Sequence, residues 1–140
     1  MPVDNTKDLK IYVGTLNAEL WPSIGPILTR KSTYQEIGDY PFVEDDMVWI
    51  IAQRENNVLG FCSIKNGSPL ELTNDYILPE YRKLGIYKIL FEKRLSLVEE
   101  EHLRIVTRNQ IVVDMSLKHD FKIKSQRGTW TYLERGKDVK

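Results

Sequence analysis

The segment between residues 76 and 88 has the composition of an anion-binding loop. An apolar strand ends, a short polar loop follows, and a helical pattern begins at a glycine, in the order Tyr76-Ile77-Leu78-Pro79-Glu80-Tyr81-Arg82-Lys83-Leu84-Gly85-Ile86-Tyr87-Lys88. The first turn of a helix has unpaired N–H groups and the positive end of the macrodipole, and a glycine lets an anion approach them. Arg82, Lys83 and Lys88 add positive charge. The pattern indicates a phosphate site, but it fits equally a loop whose cations face solvent.

Few other residues suggest catalytic or metal chemistry. The single cysteine, Cys62, excludes an internal disulfide and a cysteine-rich zinc site, and its place inside an apolar strand predicts a buried thiol rather than a nucleophile. His102 and His119 lie outside any metal-ligand spacing, so we expect no metal.

Length and charge restrict the class of protein further. The chain has 140 residues, 20 basic and 20 acidic, and 41% of them are hydrophobic. We expect one domain over residues 1–140, because neither a repeat nor a linker interrupts it. The neutral balance argues against a surface built to bind nucleic acid. The polar N-terminus and the lack of a long apolar run predict a cytoplasmic protein with no membrane partner.

The first half of the chain predicts a strand, two short helices and three further strands. Residues 9–13 alternate apolar and polar side chains, as a half-buried strand does. Apolar residues recur at helical spacing over 17–31, with Asn17 as the expected N-cap, and a second short helix is expected over 33–37. The strands are expected at residues 47–53, 58–64 and 70–78.

The second half alternates helices and strands. A long amphipathic helix is expected from Ile86, although Arg94 intrudes on its apolar arc. A strand at 104–107, a helix at 110–119 and a closing hairpin follow. The expected order is β-α-α-β-β-β-α-β-α-β-β, an α/β domain with a mixed central sheet and helices on both faces.

Three segments carry motifs of one known family. Residues 79–87 are similar to its acyl-CoA-binding motif, Arg/Gln-x-x-Gly-x-Gly/Ala, and residues 50–61 to its second and third strands with their Gly-Phe pair. Asn109, followed by Val112, Met115 and Phe121, is similar to its Asn-x-x-Ala-x-x-Leu-Tyr-x-x-x-Gly-Phe segment. Because the three occur in the family's order, the chain resembles the GCN5-related N-acetyltransferases (GNAT) over almost its whole length.

The resemblance implies a site for acetyl-CoA. The pantetheine arm would bond to backbone groups of residues 76–78 as an added strand, and to Asn109. The pyrophosphate would be held by N–H groups of residues 82–87, with Lys88 adding charge. The thioester would lie where two parallel strands, residues 70–78 and 104–107, splay apart. The implied donor-binding set is Tyr76, Ile77, Leu78, Arg82, Lys83, Leu84, Gly85, Ile86, Tyr87, Lys88 and Asn109.

Two positions depart from the family pattern. Tyr87 stands where the motif has Gly or Ala, which is tolerable if only its N–H meets the phosphate and the side chain turns away. Ser116 aligns with a tyrosine that often acts as general acid toward the leaving thiolate. A serine could relay a proton through water, or the thiolate could leave with no dedicated acid.

The family often takes its general base from the strand before the motif. Glu71 falls at a matching position, and Asp75 shares its face by strand alternation if no bulge intervenes. A carboxylate partly buried between strands would have its pKa raised toward the range useful for deprotonating an amine. We slightly prefer Glu71, although it could also be a simple exposed strand end.

The resemblance therefore predicts direct transfer of an acetyl group from acetyl-CoA to a small-molecule or peptide amine. Two alternatives remain: a non-catalytic module that binds CoA or a partner, and an acyltransferase acting on a nucleobase or a protein side chain. Acids at or near the expected acceptor side hint at a cationic acceptor: Glu36, Asp39, Glu44, Asp45 and Asp46. The sequence leaves the acceptor and the oligomeric state, including a homodimer, open.

Overall fold

A computed structural model describes residues 8–37 and 43–136 of the chain. Its elements are β1 Leu9–Gly14, α1 Trp21–Leu28, α2 Lys31–Ile37, β2 Val48–Arg54, β3 Asn57–Lys65, β4 Leu70–Ile77, α3 Ile86–Ser96, β5 Leu103–Thr107, α4 Gln110–Lys118, β6 Lys122–Arg127 and β7 Trp130–Arg135. The expected order of strands and helices is confirmed. A short 3-10 helix, Pro79–Tyr81, lies between β4 and α3 and was not expected.

The strands form one mixed sheet in the order β1-β2-β3-β4-β5-β7-β6. Only β4 and β5 pair in parallel, and every other neighbouring pair of described strands is antiparallel. The last strand, β7, lies inside the sheet between β5 and β6. Among the described residues no helix is both long and apolar enough to cross a membrane.

Helices cover both faces of the sheet, and each face has its own apolar core. One core joins the sheet to α3 and α4 through Leu90, Phe91 and Val112. The other joins it to α1 through Ile24, Trp49 and Phe61. The expected helices on both faces are thus confirmed.

The β2–β3 hairpin shows why the Gly-Phe pair occurs. A Cβ added at Gly60 would lie 2.4 Å from Ile77 Cδ1 and 2.9 Å from the Tyr76 carbonyl oxygen, so β4 approaches here as closely as a glycine allows. Phe61 turns to the opposite face and packs edge-on against Trp49, with the ring centroids 5.7 Å apart. Gly60 therefore leaves room for the end of β4, and Phe61 joins the core on the other face.

Two local expectations are wrong. Asn17 does not cap α1, which begins at Trp21; its side chain accepts from the Leu20 N–H (2.9 Å) in the turn before the helix. Pro22 explains the later start, because a proline without an N–H fits the first turn. Trp21, one of the apolar residues that recur at helical spacing and should be buried, is 48% exposed. Gly38, the residue after α2, lies outside the described residues.

Candidate active site

β4 and β5 part in the middle of the sheet. They pair only at Leu70 with Leu103 and at Glu71 with Arg104, although both strands continue. A cleft of about 170 Å³ opens beyond these pairs, between β4, β5 and the end of α2. Its walls include Glu71, Thr73, Thr107, Asn109 and Trp130. The expected splay is therefore present, and backbone groups of β4 beyond Glu71 have no partner strand on the cleft side.

A bulge in β4 separates the two candidate carboxylates. Ser63 of β3 pairs with Thr73, but Phe61 pairs with Tyr76, so β4 holds one extra residue between these pairs. Asn74 absorbs it with a left-handed backbone, φ +58°. The expectation that Glu71 and Asp75 share a face is therefore wrong, because it required an unbulged strand. The side chain of Asp75 turns to α3 instead.

Asp75 is tied into a buried ion pair. Arg94 of α3 donates from both guanidinium NH groups to the Asp75 carboxylate, at 2.7 Å each, and the side chains are 0% and 7% exposed. The Tyr87 hydroxyl donates to the same carboxylate. Burial lowers the pKa of Arg94, but the neighbouring groups, Asp75 foremost among them with Cys62 and Tyr87, together outweigh it, and the net shift is upward. Asp75 also borders the cleft, but both of its oxygens are engaged by Arg94 or Tyr87.

Glu71 stands at the apex of the cleft between two cations. Lys65 Nζ lies 4.0 Å from one of its carboxylate oxygens, and Arg104 Nε lies 3.6 Å from the other. The Glu71 side chain is 19% exposed, so water reaches it. The carboxylate therefore belongs to a small charged cluster with Lys65 and Arg104.

The loop before α3 turns twice through left-handed backbone. Lys83 has φ +63° and Gly85 has φ +85°. The position of a Cβ on Gly85 has no atom within 4 Å, so the space in front of it is open. The first hydrogen bond of α3 runs from the Ile89 N–H to the Gly85 carbonyl, and Gly85 has no side chain to cap the helix. The N–H groups of Ile86, Tyr87 and Lys88 therefore lack an intrahelical acceptor, as an anion site requires.

Arg82 is a structural part of this loop rather than a free cation. Its backbone N–H donates to the Pro79 carbonyl (3.4 Å), so this group is already used. Its side chain donates from Nε to the Ile77 carbonyl (2.8 Å) and from NH2 to Glu36 of α2. The guanidinium also lies 5.4 Å from the centre of the Tyr76 ring. Arg82 thus ties the end of β4 to α2 and neutralises Glu36.

The side chain of Tyr87 turns away from the loop. Its hydroxyl bonds to Asp75, and its ring packs edge-on against Phe91, with centroids 5.8 Å apart. Burial, reinforced by the neighbouring Asp75 charge, raises the pKa of this phenol well above its ordinary value. The departure from Gly or Ala at this position therefore places no side chain in front of the first-turn N–H groups.

Two other predicted residues have their polar groups partly or fully engaged. Asn109 lines the cleft and is the N-cap of α4, its Oδ1 accepting from the Ile111 N–H (2.9 Å), which leaves the amide nitrogen to donate. Ser116 is 0% exposed, and its hydroxyl donates to the Val112 carbonyl (2.6 Å). Val112 of α4 lines the cleft, whereas Ser116 is not among the residues of the cleft wall.

The acids expected on the acceptor side are not gathered in the cleft. Glu36 lies at its wall, paired with Arg82. Glu44, Asp45 and Asp46 are exposed in the turn before β2, where Asp46 accepts from Asn66 (2.9 Å). Asp39 lies outside the described residues. Trp130 of β7 forms another part of the cleft wall. The Arg108 guanidinium lies over the Trp130 ring, with its Cζ 5.4 Å from the ring centre.

Sequence reasoning missed the roles of two residues, Asn74 in the cleft wall and Arg94 behind β4. The sequence did contain a sign of the role of Arg94, because this residue interrupts the apolar arc of α3. A charged side chain buried on such an arc requires a partner of opposite charge. Asn74 had only a weak sign, because asparagine tolerates left-handed backbone but does not require it.

Comparisons with known proteins agree with this geometry. The model of the acetyltransferase (GNAT) family matches residues 14–121, which is more than half of the chain. The chain therefore belongs to the GNAT acetyltransferase family. Comparison with curated protein sequences found no match.

Solved structures show the same fold at low sequence identity. An acyl-CoA N-acyltransferase from Pseudomonas aeruginosa superposes with a TM-score of 0.71 at 13% identity, over 91% of this chain and 99% of that one. The PaiA N-acetyltransferase from Thermoplasma acidophilum, solved in complex with coenzyme A, gives 0.66 at 19% identity, over 91% and 99%. An acetyltransferase from Thermus thermophilus gives 0.69 at 15% identity, over 91% and 97%.

Proposed function

We propose that this chain transfers an acetyl group from acetyl-CoA to an amine by direct attack within a ternary complex. The observation that carries the proposal is the parting of β4 and β5 after Glu71 and Arg104, beside an open left-handed loop at the start of α3. This arrangement offers a slot for an extended thioester and an anion site at one end of it. Membership of the GNAT family supports the same reaction class.

The loop residues fit the pyrophosphate of the donor. The N–H groups of Lys83 to Tyr87 would hold it, with Gly85 leaving the approach open and Lys88 adding charge. The Arg82 side chain supports the loop through Ile77 and Glu36. Only five of the six N–H groups first expected there are available, because that of Arg82 donates to Pro79.

The cleft-facing edge of β4 fits the pantetheine arm and the reacting carbonyl. The Leu78 N–H donates to Leu59 of β3, so strand alternation turns the N–H of Ile77 to the cleft. The donor supplies a thioester, whose carbonyl oxygen becomes negative as the amine attacks. The Ile77 N–H is placed to stabilise that oxyanion, and the Asn109 amide nitrogen to bond the arm from the β5 side.

Glu71 is the residue we assign to accept the proton of the attacking amine, directly or through a water. Asp75 is not assigned this role, because both of its oxygens are bound by Arg94 and Tyr87. Ser116 is assigned none either, because its buried hydroxyl is held by Val112. The thiolate would leave without a dedicated protein acid.

The test is a thiol-release assay with acetyl-CoA against a panel of small amines, polyamines, peptides and nucleobases. Acceptor-dependent release of CoA, with the acetylated product identified by mass spectrometry, is the expected result. Longer acyl-CoA donors in the same assay decide whether acetyl is preferred. If CoA binds but no acceptor in the panel gives release, the chain is a binding module and the proposed transfer is wrong.

A further inference from the structure

The polar cluster behind β4 has no part in the reaction described above. Asp75, Tyr87 and Arg94 lie within an otherwise apolar core between the sheet and α3, beside residues such as Leu90, Phe91 and Cys62. Apolar side chains of similar size would fill this space at no desolvation cost, and replacing a buried ion pair with them is often neutral or stabilising. Stability alone therefore does not account for the cluster.

The cluster holds the β4 bulge. One NH group of Arg94 donates to the carbonyls of Ser63 (3.2 Å) and Thr73 (3.3 Å), the two residues paired at the near side of the bulge. Both NH groups also bind Asp75, the residue after Asn74. The guanidinium thus spans the one position where the β3–β4 ladder is interrupted. Asn74 itself is fixed from the other side, its Nδ2 donating to Ser63 Oγ at 3.0 Å.

The same cluster reaches the anion-binding end of α3. Tyr87 is the second residue of α3, and its backbone N–H belongs to the first turn. Its hydroxyl donates to the carboxylate that Arg94 holds. A continuous path of hydrogen bonds therefore runs from the first turn of α3, through Asp75 and Arg94, to the backbone carbonyls of Ser63 and Thr73 beside the bulge.

We propose that Asp75, Tyr87 and Arg94 are positioning residues that fix the β4 bulge relative to the first turn of α3, so that a bound thioester stays aligned with the cleft-facing N–H groups of β4. This inference rests on the proposed function, because it assigns the two ends of the path to the pyrophosphate and the thioester. None of the three residues needs to touch the reacting atoms. Misplacement of reacting groups by about 1 Å can lower a rate by about 10²-fold, so a rigid link of this kind has a measurable effect.

The decisive variant replaces the whole cluster by apolar residues: Asp75→Leu, Tyr87→Phe and Arg94→Met together. Because no charge is left unpaired, we expect it to fold, with a melting temperature lowered only by the loss of the Arg94 donor to the carbonyls of Ser63 and Thr73. Its affinity for CoA, measured by calorimetry, should stay within about threefold, since the pyrophosphate is held by backbone groups. Its kcat should fall by about tenfold or more, since the bulge has lost its link to α3. A wild-type kcat in this variant would overturn the proposal.

A single substitution provides a second test. Tyr87→Phe removes only the hydroxyl that joins α3 to Asp75, and it should lower kcat with little change in the KM for acetyl-CoA. The matched control is Tyr12→Phe, which removes the hydroxyl that donates to the Thr15 carbonyl beside β1, away from the cleft. Equal kinetics for the two variants would show that the Tyr87 hydroxyl positions nothing.

A readout without turnover separates this inference from the proposed function. Amide hydrogen exchange at residues 74–77 should be faster in the triple variant than in the wild type, whether or not an acceptor is known. If exchange there is unchanged, the cluster does not fix the bulge. If exchange is faster but the wild type neither binds CoA nor releases thiol, the positioning role stands and the proposed function fails.

Discussion

Glu71 and Arg104 are the last two residues paired across β4 and β5, and the sheet opens directly after them. Arg104 Nε lies 3.6 Å from the Glu71 carboxylate, which Lys65 approaches to 4.0 Å from the other side. The cluster of Glu71, Arg104 and Lys65 thus lies at the point where β4 and β5 part. It places an anionic oxygen at the inner end of the cleft, where a proton released by an attacking amine could be taken up.

Glu71→Gln should lower kcat/KM by about 10²-fold or more, because the neutral amide cannot accept the proton of the attacking amine. The measurement is kcat/KM against pH with a fixed amine. Glu55→Gln, in the exposed turn between β2 and β3, is the control and should keep the wild-type profile. If kcat/KM of Glu71→Gln equals that of the wild type, the proton goes to another acceptor, such as bound water.

Gly85→Asp should abolish the thermal stabilisation by CoA, because it adds negative charge and bulk where the pyrophosphate would lie. At 100 times its Kd, a ligand that binds only the folded state adds about 2.7 kcal/mol, which raises the melting temperature by several degrees. Arg82→Ala should weaken the shift only in part, since the site is made chiefly by backbone groups. The measurement is the melting temperature with and without CoA.

The matched control for this variant is Gly128→Asp. Gly128, in the β6–β7 turn, also has a left-handed backbone (φ +61°) and an open Cβ position, so it carries the same backbone strain far from the loop. It should keep the full shift with CoA. If wild-type protein shows neither a shift nor calorimetric binding at millimolar CoA, the acyl-CoA proposal is wrong.

Ser116→Ala should keep most of the activity, because a true general acid contributes about 10²–10⁴-fold and this hydroxyl is held by Val112. Ser116→Tyr, which restores the residue common in the family, should lose about 1–3 kcal/mol of stability, because the site is fully buried and has no room for a phenol. Steady-state kinetics and thermal melting measure the two effects. A loss of 10²-fold or more in Ser116→Ala, with CoA affinity intact, would give the serine a catalytic role after all.

The protein should lose stability at alkaline pH, in part through Cys62. Burial raises the pKa of this thiol from its ordinary value of 9.0 to about 12. Above pH 9 the unfolded chain releases the proton while the native state keeps it, so the free energy of unfolding falls as pH rises to about 12. The loss is at most about 1.4 kcal/mol per pH unit for one group. Tyr87, whose pKa is also raised, adds to it at the upper end.

Denaturant unfolding of the wild type and of Cys62→Ala at several pH values from 7 to 11 tests this. The variant should be less stable at pH 7, from the lost packing, but its free energy of unfolding should fall less steeply above pH 9. Parallel slopes would mean that Cys62 does not contribute to the alkaline loss.

The order of elements followed from the sequence because each element has a local cause. Alternation over residues 9–13, the apolar run at 47–53 and the glycine before Ile86 depend on neighbours within a few residues, and the structure has β1, β2 and α3 at these places. The loop motif at residues 79–87 is equally local. Its expected anion chemistry is a local property too, because the first turn of a helix has unpaired N–H groups and the positive end of the macrodipole.

The tertiary structure alone decided which side chains are available for chemistry. Residue spacing placed Glu71 and Asp75 on one face, but the extra residue at Asn74 turned Asp75 to Arg94, and no local pattern reports a bulge that depends on the partner strand. Arg82 and Tyr87 looked like loop residues, yet each is engaged by a residue distant in sequence, Glu36 and Asp75. Such pairings depend on how strands and helices pack. The local sequence allows several orientations for each side chain, and contacts with residues distant in sequence select one of them.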